Sequence, residues 1–205
     1  MGAPGNAAAN RPGAAIAPQR GGAQAALAES GEAGATARPN PIQATLAQAQ
    51  GLWNAGARQG AIDLLREAVA SVVRTDPAGA SVAAGLPALV RELARMELAQ
   101  GQVAQALELL TRLEPLLAGQ ADLWAVRGNA AQRLGRHAES ASAYQAALRL
   151  RPDEPRWMLG LAVSQAADGQ TAAAAQWAER AREAAPVSPE LLAYLRQMGV
   201  ILRER

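Results

Sequence analysis

The chain has 205 residues, of which half are apolar, and its aromatic side chains are limited to 4 Trp and 2 Tyr. All 20 basic residues are arginine and 18 residues are acidic, so the formal net charge is only +2. This balance argues against nucleic-acid binding, which usually requires a strongly basic domain. The absence of cysteine excludes disulfides and thiolate chemistry.

Residues 1–41 are rich in Ala, Gly and Pro and hold almost no large apolar side chain. Such a segment cannot bury enough surface to offset the entropy lost on ordering. We therefore predict a disordered tether over residues 1–41, and we favour a native spacer over a purification or linker sequence.

Helical periodicity begins after Asn40 and Pro41, a typical helix start. A short extra helix is predicted from Asp76, and it should end or kink near Leu86 because Pro87 disfavours the α conformation in the residue before it. The other predicted helices form pairs over residues 42–55 and 58–73, 87–100 and 103–117, 122–134 and 137–150, and 155–167 and 171–184.

Three glycines, Gly101, Gly135 and Gly169, lie 34 residues apart, each between two apolar helical runs. Glycine suits the tight turn between two antiparallel helices. Residues 121–154 make one unit of this length, and along it come, in order, Trp124, Gly128, Gly135, Tyr144, Ala147 and Pro152. This layout resembles the tetratricopeptide repeat (TPR), a helix–turn–helix unit of 34 residues.

The resemblance implies an all-α fold, a TPR-type α-solenoid of four helix–turn–helix units with a C-terminal capping helix. The predicted units are residues 42–75, 87–120, 121–154 and 155–188, with an inserted segment over 76–86 and a capping helix over 189–203. The repeat departs from the usual TPR pattern at Arg127, Ala131 and Ser140. Trp124 is expected to be buried between the two helices of its unit.

Catalytic, cofactor-binding and metal-binding patterns are not evident, so we predict a protein that is not an enzyme and needs no cofactor. His137 is the only histidine, and it is better explained as a solvated turn residue than as a ligand or a base. Asp153 and Glu154 directly follow Pro152, where carboxylates favour a helix start through its dipole.

In TPR arrays, certain positions of the first helix of each unit face a concave groove, and this implies a protein-binding site. The residues that fall at those positions are Trp53, Arg91, Arg95, Asn129, Gln132, Arg133 and Arg156. The arginines favour a protein or peptide partner bearing carboxylates. An ordinary solvated helix face is the alternative interpretation, and Trp53 is equally well explained as covered by the tether or the inserted segment.

The C-terminal part of the chain, roughly residues 88–198, also resembles the TPR protein of MSHA-type type IV pilus biogenesis (MshN-like). The strings that carry the resemblance are Gln132-Arg133-Leu134-Gly135-Arg136-His137-Ala138-Glu139, Leu150-Arg151-Pro152, Arg156-Trp157-Met158-Leu159-Gly160-Leu161 and Ser188-Pro189-Glu190-Leu191. Proteins of that kind have an N-terminal membrane helix, a low-complexity spacer and periplasmic repeats, and the sequence departs from them by lacking the membrane helix.

The resemblance implies a periplasmic assembly factor of a type IV pilus or a related secretion machinery. The expected location is the periplasmic face of the inner membrane if a membrane helix has been truncated, and otherwise the cytoplasm. A cytoplasmic TPR adaptor that organises an enzyme or signalling complex is the alternative.

Overall fold

The computed structural model describes residues 40–75 and 80–203, in which all regular secondary structure is helical. The predicted tether lies outside these residues except for Asn40 and Pro41, which begin the first helix. The helices are α1 Pro41–Asn54, α2 Arg58–Thr75, α3 Ala80–Ala99, α4 Val103–Arg112, α5 Glu114–Leu117, α6 Ala121–Arg133, α7 His137–Leu150, α8 Pro155–Ala167, α9 Thr171–Ala184 and α10 Pro189–Gln197.

Consecutive helices pack in pairs, α1 with α2, α3 with α4, α6 with α7 and α8 with α9. Each pair is joined by a turn with a glycine in the left-handed region, at Gly56, Gly101, Gly135 and Gly169, with φ between 72° and 84°. Side-chain-bearing residues rarely adopt this conformation. The prediction of an all-α array of four helix–turn–helix units is confirmed.

The predicted end of a separate short helix near Leu86 is wrong, because α3 runs from Ala80 to Ala99 with Pro87 inside it. The predicted start of that helix at Asp76 lies outside the described residues. A proline within a helix costs about 3 kcal/mol, since it removes a hydrogen bond and crowds the preceding turn. Leu86, Leu89 and Val90 are at most 1 % exposed, and burying each such side chain contributes about 1.5–3 kcal/mol. Leu86 precedes Pro87, and its burial offsets part of this cost, so residues 80–86 extend α3 and form no separate helix.

The second helix of the second unit was predicted to be continuous over residues 103–117, and this is also wrong. It ends at Arg112, and the short helix α5 begins at Glu114 with Pro115 in its first turn. Proline lacks the N–H that would continue the hydrogen-bond ladder of α4. Pro115 itself indicates that a helix should end before it, but the apolar periodicity on both sides of Pro115 favoured one continuous helix.

The capping helix is shorter than predicted, since α10 ends at Gln197 and Gly199 has a φ of 85°. The chain beyond it is not helical but still covers the last pair of helices. Val200 and Leu202 are at most 8 % exposed, and the backbone N–H of Arg203 donates to Oε1 of Glu179 at 2.7 Å. None of the described helices is long and apolar enough to cross a membrane.

The core consists mainly of Ala and Leu, and Trp124 is less buried than predicted. Leu123 is 2 % exposed, whereas the neighbouring Trp124 is only partly buried. The indole Nε1–H of Trp124 donates to the carbonyl of Ala118 at 2.9 Å, and the Arg127 guanidinium lies 5.3 Å from the ring centroid. The ring therefore covers the edge of the core.

We expect Leu123→Ala to lower the free energy of unfolding by about 3 kcal/mol, because it removes a fully buried side chain. Trp124→Ala should cost about 2 kcal/mol, since part of that ring already contacts water. Equilibrium unfolding in urea measures both changes. A larger loss for Trp124→Ala than for Leu123→Ala would contradict this assignment of the core.

Candidate functional site: a concave groove between α3, α6 and α8

The first helices of three successive units, α3, α6 and α8, border an open groove of about 510 Å³. We call it the concave groove. Its lining consists of Arg91, Leu98, Asp122, Ala125, Val126, Asn129, Tyr144, Arg156 and Trp157. An apolar floor with charged groups at its rim suits a peptide segment, because it offers both apolar contact and directional polar contacts.

Tyr144 is the one lining residue that comes from a second helix, α7, and two glycines give its ring space. A Cβ on Gly128 would lie 2.9 Å from the Tyr144 ring, and a Cβ on Gly160 would lie 2.5 Å from it. Tyr144 is 6 % exposed, and its ring lies between the backbones of α6 and α8. Burial raises the pKa of Tyr144, and an interaction with the Asn129 side chain opposes that shift. The phenol therefore stays neutral and able to donate at physiological pH.

The charges of the concave groove are unevenly compensated. Nη2 of Arg91 lies 3.7 Å from Oδ2 of Asp122, and Asp122 also pairs with Arg151. Arg156 is exposed and makes no ion pair with any residue that the structure describes. Two arginines against one aspartate leave the lining with a positive balance.

Arg95 and Trp53, both predicted to face the groove, lie next to each other but not among its lining residues. The Arg95 guanidinium is 5.5 Å from the Trp53 ring centroid and pairs with Glu92 at 2.5 Å. Hydrogen bonding to Glu92 raises the pKa of Arg95, and burial opposes that shift. Arg58 also lies 5.7 Å from the same ring. Trp53 is partly buried against the core, so its side chain already has contacts within the fold.

Gln132 and Arg133 were also predicted to face the groove, and both instead bond to neighbouring helices. Nε2 of Gln132 donates to Oγ of Ser164 at 3.1 Å and to the carbonyl of Gly160 at 3.3 Å. Arg133 donates to the carbonyl of Leu98 at 3.0 Å.

Ser140 occupies a position that is usually alanine in the repeat, and its hydroxyl makes two buried hydrogen-bond contacts. Its Oγ donates to the carbonyl of Gly128 at 2.7 Å and lies 2.8 Å from Oγ of Ser164. These buried hydrogen bonds, together with those of Gln132, hold α6, α7 and α8 in a fixed arrangement and so fix the shape of the concave groove.

Of the seven predicted site residues, the structure brings Arg91, Asn129 and Arg156 together. The lining residues that the sequence analysis missed are Leu98, Asp122, Ala125, Val126, Tyr144 and Trp157. The glycines at positions 128 and 160 are visible in the sequence, but only the packing of the helices shows that they flank the Tyr144 ring. Over residues 40–75 and 80–203, no three His, Asp or Glu side chains cluster so as to hold a metal ion.

The paired helices, the glycine turns and the groove define a helical solenoid of the TPR type. Residues 126–189 match the family described as tetratricopeptide repeat. A comparison with curated protein sequences found no match.

Several solved structures of MamA have a similar fold. MamA RS-1, as an ArsTM double mutant, has a TM-score of 0.64 at 13% identity, over 78% of this chain and 84% of that chain. MamA AMB-1 has a TM-score of 0.57 at 21% identity, over 74% and 78%. MamA MSR-1 has a TM-score of 0.56 at 20% identity, over 69% and 75%. At these identities the likeness concerns the fold alone.

Proposed function

We propose that the protein is a non-enzymatic scaffold that binds another protein through the concave groove. The observation that carries this proposal is the composition of the groove lining. An apolar floor of Leu98, Val126 and Trp157 lies beside exposed arginines, in a groove whose shape is fixed by buried hydrogen bonds. The similarity to tetratricopeptide repeats over residues 126–189 supports the proposal.

The partner segment should carry at least one carboxylate and one apolar side chain. Arg156 has no ion pair among the described residues, and Arg91 has only a contact of 3.7 Å with Asp122, so both guanidinium groups can bind carboxylates from a partner. Asp122 disfavours a second carboxylate close to Arg91, which places the preferred acidic contact at Arg156. Binding should weaken with salt, because the screening length is about 8 Å at 0.15 M.

A photocrosslinking amino acid at Val126 identifies the partner in cells that naturally make the protein. The same amino acid at Arg149, which is exposed on α7 outside the groove, is the control. Capture of one protein from position 126 and not from position 149 supports the concave groove. The opposite pattern would show that recognition uses another face.

With the partner in hand, we expect Arg91→Ala combined with Arg156→Ala to weaken binding by about 2 kcal/mol, or roughly thirtyfold. The control variant, Arg149→Ala combined with Arg196→Ala, loses the same charge at exposed positions away from the groove and should bind almost as the wild type. Isothermal titration calorimetry measures both affinities. Equal losses in the two variants would indicate a general charge effect and contradict a specific groove site.

For the cellular role, we propose a periplasmic assembly factor of a type IV pilus or a related secretion machinery, on the basis of the MshN-like strings such as those at residues 132–139 and 156–161. Crosslinking from position 126 to a component of such a machinery, with the protein in the periplasmic fraction, is the expected result. A cytoplasmic partner belonging to an enzyme or signalling complex would favour the adaptor alternative.

A further inference from the structure

A second cavity, of about 430 Å³, lies between α2, α3 and α4 and shares no lining residue with the concave groove. We call it the α2–α4 cavity. Its volume lies in the range of roughly 300–1,000 Å³ that is typical of ligand sites. The lining consists of Arg66, Leu93, Glu97, Gln102, Gln105, Glu108, Leu109 and Arg112.

Glu97 is a buried carboxylate in this lining with only one of its oxygens bonded. Its side chain is 2 % exposed. Oε1 accepts hydrogen bonds from Nε and Nη2 of Arg66 at 3.0 and 2.8 Å. Oε2 is also buried, and it has no hydrogen-bond partner within the described parts of the chain. An unsatisfied buried acceptor is rare in folded proteins and usually marks a missing partner, such as a water, an ion or a ligand.

Arg66 does not fully compensate the buried carboxylate. Its guanidinium also donates to Oε1 of Gln102 at 2.8 Å and lies 3.4 Å from Asp63. Burial raises the pKa of Glu97, and the hydrogen bonds from Arg66 oppose this shift. The surroundings of Glu97 therefore favour the addition of a hydrogen-bond donor or a positive charge.

The surrounding charges are acidic on balance. An adjoining cavity of about 310 Å³ shares Arg66, Leu93, Leu109 and Arg112 with the first and adds Asp63 and Glu67. The two cavities thus contain four carboxylates and two guanidinium groups. Asp63 pairs with Arg66, and Glu67 pairs with Arg74 outside the two cavities, so one negative charge remains in excess. Glu108 is exposed, and no ion pair to it exists within residues 40–75 and 80–203.

We propose that the α2–α4 cavity binds the ammonium group of a lysine side chain from a partner protein. An ammonium has three donors, and the cavity offers three acceptors, Oε2 of Glu97, the Glu108 carboxylate and the amide oxygen of Gln105. The aliphatic part of the lysine packs against Leu93 and Leu109. Because Oε2 is screened from solvent, entry of the ammonium requires an exposed lining side chain, that of Arg112, to shift.

Arg112 also lines the cavity and opposes a cation there. Its side chain is exposed, and it can turn towards solvent at little cost, as arginine side chains on a surface do. Arg66 is held by Glu97 and Gln102. An arginine is a poorer occupant than a lysine, because its planar fork is larger and needs paired acceptors in one plane.

The test is an NMR titration of the ¹⁵N-labelled full chain with Nα-acetyl-lysine N-methylamide, whose side-chain ammonium is free. Nα-acetyl-norleucine N-methylamide is its neutral counterpart. We expect saturable shifts of the Gln102 and Gln105 side-chain amides with the lysine probe, with millimolar affinity, and none with the norleucine probe. The corresponding arginine probe should bind more weakly. Equal shifts with the lysine and norleucine probes, or shifts confined to the concave groove, would overturn the proposal.

Glu97→Gln should weaken the lysine probe by about tenfold, because it removes a charged acceptor. Glu108→Gln, at an exposed position that the fold does not need, should weaken it by a few-fold and keeps the test decisive if Glu97→Gln misfolds. Glu183→Gln, exposed on α9, is the matched control and should change nothing. Unchanged affinity in Glu108→Gln would overturn the proposal. Arg91→Ala with Arg156→Ala should leave this affinity unchanged, which separates the cavity from the groove.

Discussion

Gly160→Ala should destabilise the protein by about 2–3 kcal/mol, although alanine is the better helix former. The added Cβ would lie 2.5 Å from Cζ of Tyr144 and less than 3.0 Å from both Cε atoms of the ring. The ring has little room to move towards α6, because it already packs closely against the backbone of Gly128. A Cβ built on Gly128 would lie only 2.9 Å from the ring. The helices α6 and α8 must therefore separate, which also strains the hydrogen bonds around Ser140 and Ser164.

Gly51→Ala is the matched control for this substitution. Gly51 also lies inside a helix, but none of the described atoms comes within 4 Å of its added Cβ. We expect this variant to be more stable by about 0.5–1 kcal/mol, since alanine loses less backbone entropy than glycine. Equilibrium unfolding in urea compares the two variants. If Gly160→Ala is as stable as Gly51→Ala, the Tyr144 ring does not fill the space between α6 and α8.

The features that could be predicted from the sequence are those that depend on local backbone chemistry. Gly56, Gly101, Gly135 and Gly169 adopt the left-handed conformation at the predicted turns, because a tight helix–helix turn requires it whatever packs around it. The rule that a helix stops before a proline failed at Pro87 and would have succeeded at Pro115. Burial around Leu86 decides the first case, and burial cannot be determined from local sequence.

The concave groove was only partly predictable for a related reason. The repeat register identified Arg91, Asn129 and Arg156 as lining residues, since the register determines the direction of each side chain on its helix. It could not show that Gln132 is bonded to Ser164, because that partner lies on another helix. Nor could it show that Tyr144 reaches the groove from α7, which depends on two glycine backbones lying close together.

The other large effect is expected at the ion pair between Arg66 and Glu97. Arg66→Met should lower the free energy of unfolding at pH 7 by about 2–3 kcal/mol. Removing one partner of a fully buried pair costs about 3–5 kcal/mol, because the other charge is left without compensation. The expected value is lower here because the Arg66 side chain is 39% exposed, and water can partly replace it.

The pH dependence of this variant identifies the cause of the loss. Without Arg66, burial should raise the pKa of Glu97 further above its ordinary value of 4.5. The folded state then holds a proton that the unfolded state releases, so stability is greatest below pH 4.5 and falls as pH rises through the folded-state pKa. The deficit of Arg66→Met should therefore shrink between pH 7 and pH 5. Urea unfolding at the two pH values measures this change.

Arg74→Met is the control, because it breaks the pair of Arg74 with Glu67, in which both side chains are more than 60% exposed. Such surface pairs contribute about 0–1 kcal/mol, so its loss should be small and should not depend on pH between 5 and 7.

Combining Arg66→Met with Glu97→Gln should recover most of the stability, since the uncompensated charge is then gone. If the double variant is no more stable than Arg66→Met, the loss comes from the missing packing of the arginine and not from the buried carboxylate.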